Sequence, residues 1–275
     1  MENQNRNLLI IVIVVIIALC CCVAAVAAVA AGWLANTSVK TFSDWDLESG
    51  TWEMGRVSDE SEFALEVGQA PNLEVENFAG NVTILAEESN TIRVNVTKYA
   101  PNSNALSRIT VDWDQQGDRV QIRSDRPSGP VSNMSVQFEI VVPAGTVLQV
   151  NSGAGEVRIE DVLGEIDAHT GAGRIEVVGS RGQVRLDTGA GELDYQGDPQ
   201  GICRFETGAG SITLRLPANL NAELDLGTGI GRVDLGGFDV VGDVSPGEVD
   251  GTVGTGQDAQ IQARSGAGEI NLVRR

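Results

Sequence analysis

The chain has 275 residues, enough for one or two domains. It carries 38 Asp and Glu residues against 19 Lys and Arg residues, which gives a formal charge of −19 at pH 7. A surface this acidic repels phosphate groups, so the composition argues against nucleic acid as a partner.

An apolar segment dominates the beginning of the chain. Residues 1–7 are predicted to form a short cytoplasmic tail, and the 24 residues from Leu8 to Ala31 contain no charged side chain. As a helix this segment is about 36 Å long, and the hydrocarbon core of a bilayer is about 30 Å thick. The sequence therefore predicts a transmembrane helix over 8–32, with the lipid bilayer as its partner.

The charges on either side of this segment predict its orientation. Arg6 and the α-amino group precede it, whereas Asp44, Asp46 and Glu48 follow it. Positive charge is retained on the cytoplasmic side, so we expect a single-pass membrane protein with its C-terminal part outside the cytoplasm. Alanines four residues apart also allow close helix–helix association. The alternative is a signal peptide cleaved at a small-x-small pattern near residues 25–30, which gives a secreted protein.

Two regions separate this helix from the repeats. Residues 33–65 are interpreted as an acidic extracytoplasmic spacer that contains three of the four tryptophans. Residues 66–147 hold short runs of alternating apolar residues, such as NVTIL and TIRVNVTKY, divided by Pro, Asn and Gly. This pattern is typical of strands. We expect a β section here that forms the first coils and caps the repeats.

A four-residue motif, Ser or Thr followed by Gly-Ala-Gly or Gly-Ile-Gly, recurs across residues 148–275. It begins at Ser152, Thr170, Thr188, Thr207, Thr228 and Ser265, with spacings of 18, 18, 19, 21 and 37 residues. Asn77 begins a related upstream sequence, NFAG. Apolar residues stand two and four places before each motif and five and seven places after it. The predicted core columns include Val157, Ile159, Ile175, Val177, Leu193, Tyr195, Ile212 and Leu214.

Alternation on both sides of a glycine turn predicts two short strands per repeat, each with one buried face. One coil cannot bury its apolar side alone, so successive coils must stack. We therefore predict an all-β fold, a single-stranded-coil β-solenoid with about 18 residues per coil. Its structural turn glycines are Gly153, Gly155, Gly171, Gly173, Gly189, Gly191, Gly208, Gly210, Gly229, Gly231, Gly266 and Gly268. No G-K-[ST] follows them, which excludes a phosphate-binding loop.

The outward positions carry charges of opposite sign one coil apart. Arg158 is predicted to lie beside Glu176, Asp167 beside Arg185, and Arg204 beside Asp225. The repeat pattern is lost over residues 236–260, where we expect a distorted coil or a loop. Arg274 and Arg275 are predicted to protect the open end of the stack, where end-to-end association is the alternative.

The chain from Leu73 to Arg275 resembles the DUF4097-type family of predicted adhesins, in LEVENFAGNVTI, in VQFEIVVPAGTVLQV and in the serial TGAGxIxL coils. The resemblance implies a bacterial envelope protein with a β-solenoid fold, often anchored in the membrane. It brings no catalytic residues. Many relatives have Asn-Gly-Asp where this chain has Gly-Ala-Gly, so the resemblance does not imply a calcium site.

The residues offer little for catalysis. His169 is the only histidine and is predicted to face outward, whereas Cys203 faces the core. This separation argues against a nucleophilic enzyme, and a single histidine argues against a histidine metal site. We expect no cofactor and no metal. Asp187 and Glu206 lie on successive coils, at a separation that suits a retaining glycosidase.

Three functional hypotheses follow. The first is a non-enzymatic, membrane-anchored scaffold of the bacterial envelope that binds an envelope protein or a cell-wall component, with adhesion as one such role. The second is an envelope-stress or regulatory accessory protein that acts through a membrane partner. The third, the most remote, is a glycan-active β-helix enzyme that uses Asp187 and Glu206.

Overall fold

The structure is a computed structural model that describes residues 56–125, 128–129 and 133–275. The predicted tail, the transmembrane helix over Leu8–Ala31 and most of the acidic spacer lie outside these residues. Within the described ranges, no helix has the length and apolar character needed to cross a membrane.

The described chain is built almost entirely of strands. The strands are β1 (Val57–Glu66), β2 (Asn72–Asn77), β3 (Val82–Glu87), β4 (Thr91–Ala100), β5 (Thr110–Gln116), β6 (Arg119–Asp125), β7 (Ser135–Pro143), β8 (Val147–Ala154), β9 (Val157–Glu160), β10 (Ile166–Ala172), β11 (Ile175–Gly182), β12 (Val184–Ala190), β13 (Leu193–Pro199), β14 (Gly201–Ala209), β15 (Ile212–Leu216), β16 (Ala222–Ile230), β17 (Val233–Asp234), β18 (Val241–Val244), β19 (Glu248–Val253), β20 (Ala259–Ala267) and β21 (Ile270–Arg274). One short helix, α1 (Ser103–Leu106), follows β4. The all-β prediction is confirmed for this part of the chain.

The strands form two sheets. Sheet A has ten strands in the order β1-β4-β7-β3-β9-β11-β13-β15-β21-β17. Sheet B has eleven strands in the order β18-β19-β16-β20-β14-β12-β10-β8-β2-β6-β5. We call a sheet B strand together with the sheet A strand that follows it in sequence a layer. The layers, in spatial order, are β6/β7, β2/β3, β8/β9, β10/β11, β12/β13, β14/β15, β20/β21 and β16/β17.

Neighbouring layers pair in parallel, one repeat apart. In sheet B, Thr170 lies beside Ser152 on one side and Thr188 on the other. In sheet A, Ile175 lies beside Val157 and Leu193. The alternating apolar residues of both sheets face each other and form one continuous hydrophobic core. Because side chains alternate along a strand, a register shift of one residue would expose a whole apolar row.

At the N-terminal end, the layers do not follow the order of the sequence. Layer β6/β7 comes later in the chain than β2/β3 but lies outside it, so β2/β3 is enclosed by β6/β7 and β8/β9. Asn77 occupies the motif position and lies beside Ser152. Its buried amide nitrogen donates to the carbonyls of Val136 and Gly80, and its oxygen accepts from the Ser124 hydroxyl.

At the other end, the last repeat in sequence lies inside the stack. Layer β20/β21 is inserted between β14/β15 and β16/β17, and it pairs in parallel with both. The prediction that Arg274 and Arg275 protect an open end is therefore wrong, because β21 is an interior strand. The end position is taken by β16/β17, and residues 236–260 contain an antiparallel hairpin of β18 and β19 against β16.

Antiparallel strands close the stack. β4 and β1 extend sheet A beyond β7, β5 extends sheet B beyond β6, and β19 and β18 extend sheet B at the far end. β1 includes residues 57–65, which were predicted to belong to the acidic spacer. Leu65 of this strand is buried in the core. The acidic residues around it hide the alternation of apolar and polar residues in the sequence. Acidic side chains on an edge strand discourage pairing with another chain. Those on β1 and β5 are Asp59, Glu60, Glu62, Glu66, Asp112 and Asp114.

Replacement of Asn77 tests the enclosed first layer. We expect Asn77→Ala to lower the free energy of unfolding by about 2–4 kcal/mol, because buried polar groups lose their hydrogen-bond partners. Urea unfolding monitored by circular dichroism measures this change. The matched control is Asn72→Ala at an exposed position, for which a change within about 0.5 kcal/mol is expected. Equal losses in the two variants would contradict the role assigned to Asn77.

Candidate binding surface

In four of the six motifs, the first residue joins neighbouring layers through its hydroxyl group. Thr188 donates to the carbonyl of Gly173 at 3.1 Å, and Thr207 donates to the carbonyl of Gly191 at 3.1 Å. Ser265 and Thr228 make the same contact with the glycine of the layer before them in space. The sequence shows Ser or Thr in every motif, but its period alone does not reveal this bond. The buried hydroxyls of Ser152 and Thr170 lack a hydrogen-bond partner among the described residues.

The motif glycines lie at the corner between the two strands of each layer. The second glycines of the six motifs, Gly155, Gly173, Gly191, Gly210, Gly231 and Gly268, have φ angles between 133° and 155°. At Gly191 a Cβ atom would overlap the carbonyl oxygen of Gly173. At Gly189, where φ is not positive, a Cβ atom would still lie 2.6 Å from the carbonyl oxygen of Gly171. Glycine thus permits neighbouring corners to stack backbone against backbone.

The eight core-column residues named from the sequence are all fully buried between the sheets. Tyr195 differs from the others because its ring carries a hydroxyl group into the core, where it packs on Phe205 with ring centroids 5.1 Å apart. The buried Ser180 side chain interacts with that hydroxyl, but in a geometry short of an ordinary hydrogen bond. Burial raises the pKa of Tyr195 well above its ordinary value.

The chain's histidine and its one described cysteine lie on opposite sides of sheet B. Cys203 is buried, and burial raises the pKa of its thiol, which disfavours the thiolate that a nucleophile needs. His169 is exposed, with Nδ1 3.4 Å from a carboxylate oxygen of Asp187. Asp187 lies beside Glu206, and the nearest Arg204 nitrogen is 3.6 Å from Glu206. No group of three or more metal-ligating side chains occurs in the described ranges.

The outer face of sheet A carries a row of ion pairs between layers. Arg158 contacts Glu176 at 2.6 Å, as the sequence predicts, and also Glu160 at 2.6 Å. Asp194 lies beside the like charge of Glu176, and it is contacted by Arg215 at 3.2 Å and by Arg174 at 3.4 Å. Arg174 also pairs with Glu192. We call these seven residues the sheet A charge row.

Two of these arginines keep their charge firmly. Burial alone would lower the pKa of Arg158, but its hydrogen bond to Glu160 and the charge of Glu176 raise that pKa overall. Burial likewise opposes the charge of Arg174, whereas Glu192 and Asp194 raise its pKa. Arg158 and Arg174 therefore stay charged, and ion pairs of the sheet A charge row connect four successive layers.

The outer face of sheet B matches the predicted charges only in part. Asp167 lies beside Arg185, as expected. Arg204 does not lie beside Asp225, because the inserted layer β20/β21 separates their strands. Instead Arg204 donates to the amide oxygen of Gln262 at 3.0 Å, and Asp225 accepts from Arg264 at 2.5 Å.

A polar groove lies at the second corner, where sheet A strands lead back into sheet B. Its volume is about 480 Å³, within the usual range for small-ligand pockets. Four chain segments meet there: the end of β11 and the connections β13–β14, β15–β16 and β19–β20. They supply Arg181, Asp198, Pro199, Gln200, Pro217, Asn219, Leu220, Asn221, Gln257 and Asp258. Asp198 is paired with Arg181 and with Arg275. We call this the corner groove.

Comparison with solved structures finds similar folds. One chain, from Clostridium sporogenes and described as a "putative cell adhesion protein", gives a TM-score of 0.53 at 16% identity. The match covers 80% of this chain and 100% of that chain. At this identity the likeness shows a shared fold and nothing more.

Two further chains, both described as a "putative adhesin", show weaker agreement. The chain from Bacteroides fragilis gives a TM-score of 0.25 at 11% identity, covering 78% of this chain and 97% of its own. The chain from Parabacteroides merdae gives 0.30 at 10% identity, covering 78% and 96%. No family model and no curated protein matches the sequence.

Substitution at a stacked corner tests the backbone contact. We expect Gly191→Ala to lower the free energy of unfolding by at least about 3 kcal/mol, because it adds a steric overlap to an unfavourable φ. The control is Gly237→Ala, where φ is 80° but no atom lies within 4 Å of the added Cβ. Backbone strain alone should cost that variant about 1–2 kcal/mol. Urea unfolding of both variants gives the comparison, and similar losses would show that close stacking is unimportant.

The buried Tyr195 predicts a loss of stability at high pH. The unfolded chain releases the tyrosine proton near pH 10, but the folded chain holds it to higher pH because burial raises the pKa. The contribution of Tyr195 to the free energy of unfolding is thus complete below about pH 10. Above that pH it falls by about 1.4 kcal/mol per pH unit. Tyr195→Phe should show a shallower decline than the unmodified chain between pH 10 and 12 in urea unfolding. Identical slopes for the two proteins would refute this assignment.

Proposed function

We propose that this protein is a membrane-anchored, extracytoplasmic β-solenoid scaffold of the bacterial envelope. In this proposal it is not an enzyme, and it binds an envelope protein or a cell-wall component, in the manner of an adhesin, through the outer faces of its two sheets. The DUF4097-type resemblance in sequence supports this assignment.

The observation that carries the proposal is the order of the outer faces. Each layer repeats the one before it in parallel register, so charged side chains stand in straight rows. In the sheet A charge row, contacts between layers hold these side chains in place before any partner arrives. A surface whose side chains are already ordered loses less conformational entropy on binding.

The beginning of the chain supports the location. The 24 uncharged residues from Leu8 to Ala31 suit a membrane anchor, and the charges around them favour an external repeat region. The Clostridium sporogenes protein of similar fold, described as a putative cell adhesion protein, agrees with a role at the cell surface.

The second candidate is a regulatory accessory protein that acts on a membrane partner. Small residues four apart in the predicted helix, such as Ala24 and Ala28, favour this function because they permit another helix to approach closely. The two candidates differ in which part of the chain meets the partner.

Photo-crosslinking in intact cells separates these functions. A photoreactive amino acid is placed at Arg185 on sheet B, at Thr213 on sheet A, at the exposed corner residue Ala190, or at Val26 in the predicted helix. We expect the two sheet positions to capture a partner and the corner position to capture little. Crosslinks from Val26 alone would favour the accessory protein and reject the scaffold.

Protease treatment of intact cells tests the location. A tag after Arg275 should be digested while a tag before residue 1 is protected, since the repeats lie outside the cytoplasm in this proposal. Protection of both tags, with digestion only after lysis, would reject the extracytoplasmic location.

A further inference from the structure

The inserted layer β20/β21 is held mainly by its neighbours. It forms parallel ladders with β14 and β16 in sheet B and with β15 and β17 in sheet A. Its core residues are buried against both sides; they are Ala259, Ile261, Ala263, Ile270 and Leu272. The Ser265 hydroxyl bonds one neighbouring layer, and the Thr228 hydroxyl of the other neighbour bonds Gly268.

One short loop leads into this layer from the preceding strand. β19 ends at Val253 and β20 begins at Ala259, and both residues are paired with Ala222, on opposite sides of β16. Residues 254–258 therefore cross over the beginning of β16 at the corner groove. The two strand spacings to be crossed amount to about 10 Å. Six residue steps reach about 20 Å when extended, so the loop must fold back to make this crossing.

Asn221 holds the loop in its folded form. Its side-chain oxygen accepts from the backbone nitrogen of Thr255 at 2.5 Å and from the Thr255 hydroxyl at 2.8 Å. Its amide nitrogen donates to Asp258 at 3.1 Å. Gly254 and Gly256, with φ angles of 65° and 72°, permit the reversal of the chain.

We propose that residues 259–275 form an exchangeable layer, which a second copy of this chain receives in the same position between β14/β15 and β16/β17. Two copies then exchange this layer reciprocally, and every ladder of the closed form is kept. Because these contacts are equal in the two forms, the loop decides between them. The folded loop and its Asn221 hydrogen bonds favour the single chain, and an extended loop favours the pair.

The place of the crossing suits this exchange. The loop lies at the corner groove, which is open at the surface, and both of its ends are there. Two copies can meet with these corners facing each other. The loop that follows Val253 of one chain can then reach the position that Ala259 occupies in the other chain. The partner in this exchange is a second copy of this chain, because the layer pairs residue by residue with β14 and β16 and the second copy offers the same two strands.

A disulfide between copies reports the exchange directly. Arg204 on β14 and Gln262 on β20 are paired residues on the outer face, and their side chains meet. Paired strands are about 4.8 Å apart, which lies within the Cα range of disulfides. One full-length chain carries Arg204→Cys and the other Gln262→Cys, both with the four native cysteines replaced by alanine. They are unfolded together in urea, refolded in detergent and oxidised, and a disulfide between the two chains in excess of that formed when the separately refolded chains are mixed shows that a layer has changed partners.

Loop variants give the expected result and its controls. Deletion of Thr255 and Gly256 removes both groups that bond the Asn221 oxygen and one of the two positive-φ glycines, which weakens the folded crossing, so exchanged pairs should predominate. Asn221→Ala should raise the yield of interchain disulfide at least about fivefold, the effect of one lost net hydrogen bond. Asn219→Ala, in the same groove but without a contact to the loop, and a four-residue insertion after Thr255 should both match the unmodified loop.

Two results would overturn the proposal. One is a deletion variant that folds but forms no interchain disulfide, even if it dimerises through another surface. The second result applies if the deletion variant does not fold. It is a yield of interchain disulfide in Asn221→Ala that is no higher than the yield in Asn219→Ala.

Discussion

The structure depends on how closely one layer approaches the next at the motif corner. Backbone lies against backbone there, and the space has no room for a Cβ atom at Gly173 or Gly191. This closeness brings the Thr188 hydroxyl to the carbonyl of the neighbouring layer, and it holds the two sheets in the same register. The apolar columns and the rows of ion pairs both follow, because residues with equal places in the repeat are held about one strand spacing apart.

Much of this arrangement is predictable from the repeat. A column such as Val157, Ile175 and Leu193 follows from period-two alternation, and the Arg158–Glu176 pair follows from the spacing of the motifs. The order of the layers is not predictable in this way. Ile270 fits beside Ile212 or Val233 equally well, because every layer offers an aliphatic residue at that place, and in the structure it lies between them. The prediction that Arg204 lies beside Asp225 was wrong for this reason alone, because the repeat does not show which layer follows β14/β15.

The polar part of the surface was predictable to a smaller extent. The sequence places charges on the outer faces, but it does not show that two arginines converge on Asp194 or that Asn77 bonds three groups at once. The corner groove was not predicted, because its lining comes from four chain segments and one of them leads into the inserted layer. The glycine-rich motif that looks most functional in the sequence serves the fold, whereas the varied outward positions distinguish this protein from another chain with the same repeat.

The position of β20/β21 has a consequence for biogenesis. Residues 222–253 leave the ribosome before residues 259–275, yet the native neighbour of both β14 and β16 is the later strand β20. Until residue 275 has been synthesised, Phe205 and Leu226 lack the apolar row that separates them in the finished protein. During that interval one edge of β16 can pair with β19, and its other edge is either unpaired or paired with β14 in a temporary contact that must open again. Cotranslational folding therefore cannot run to completion from one end to the other, and an apolar gap between β14 and β16 remains until β20 enters it.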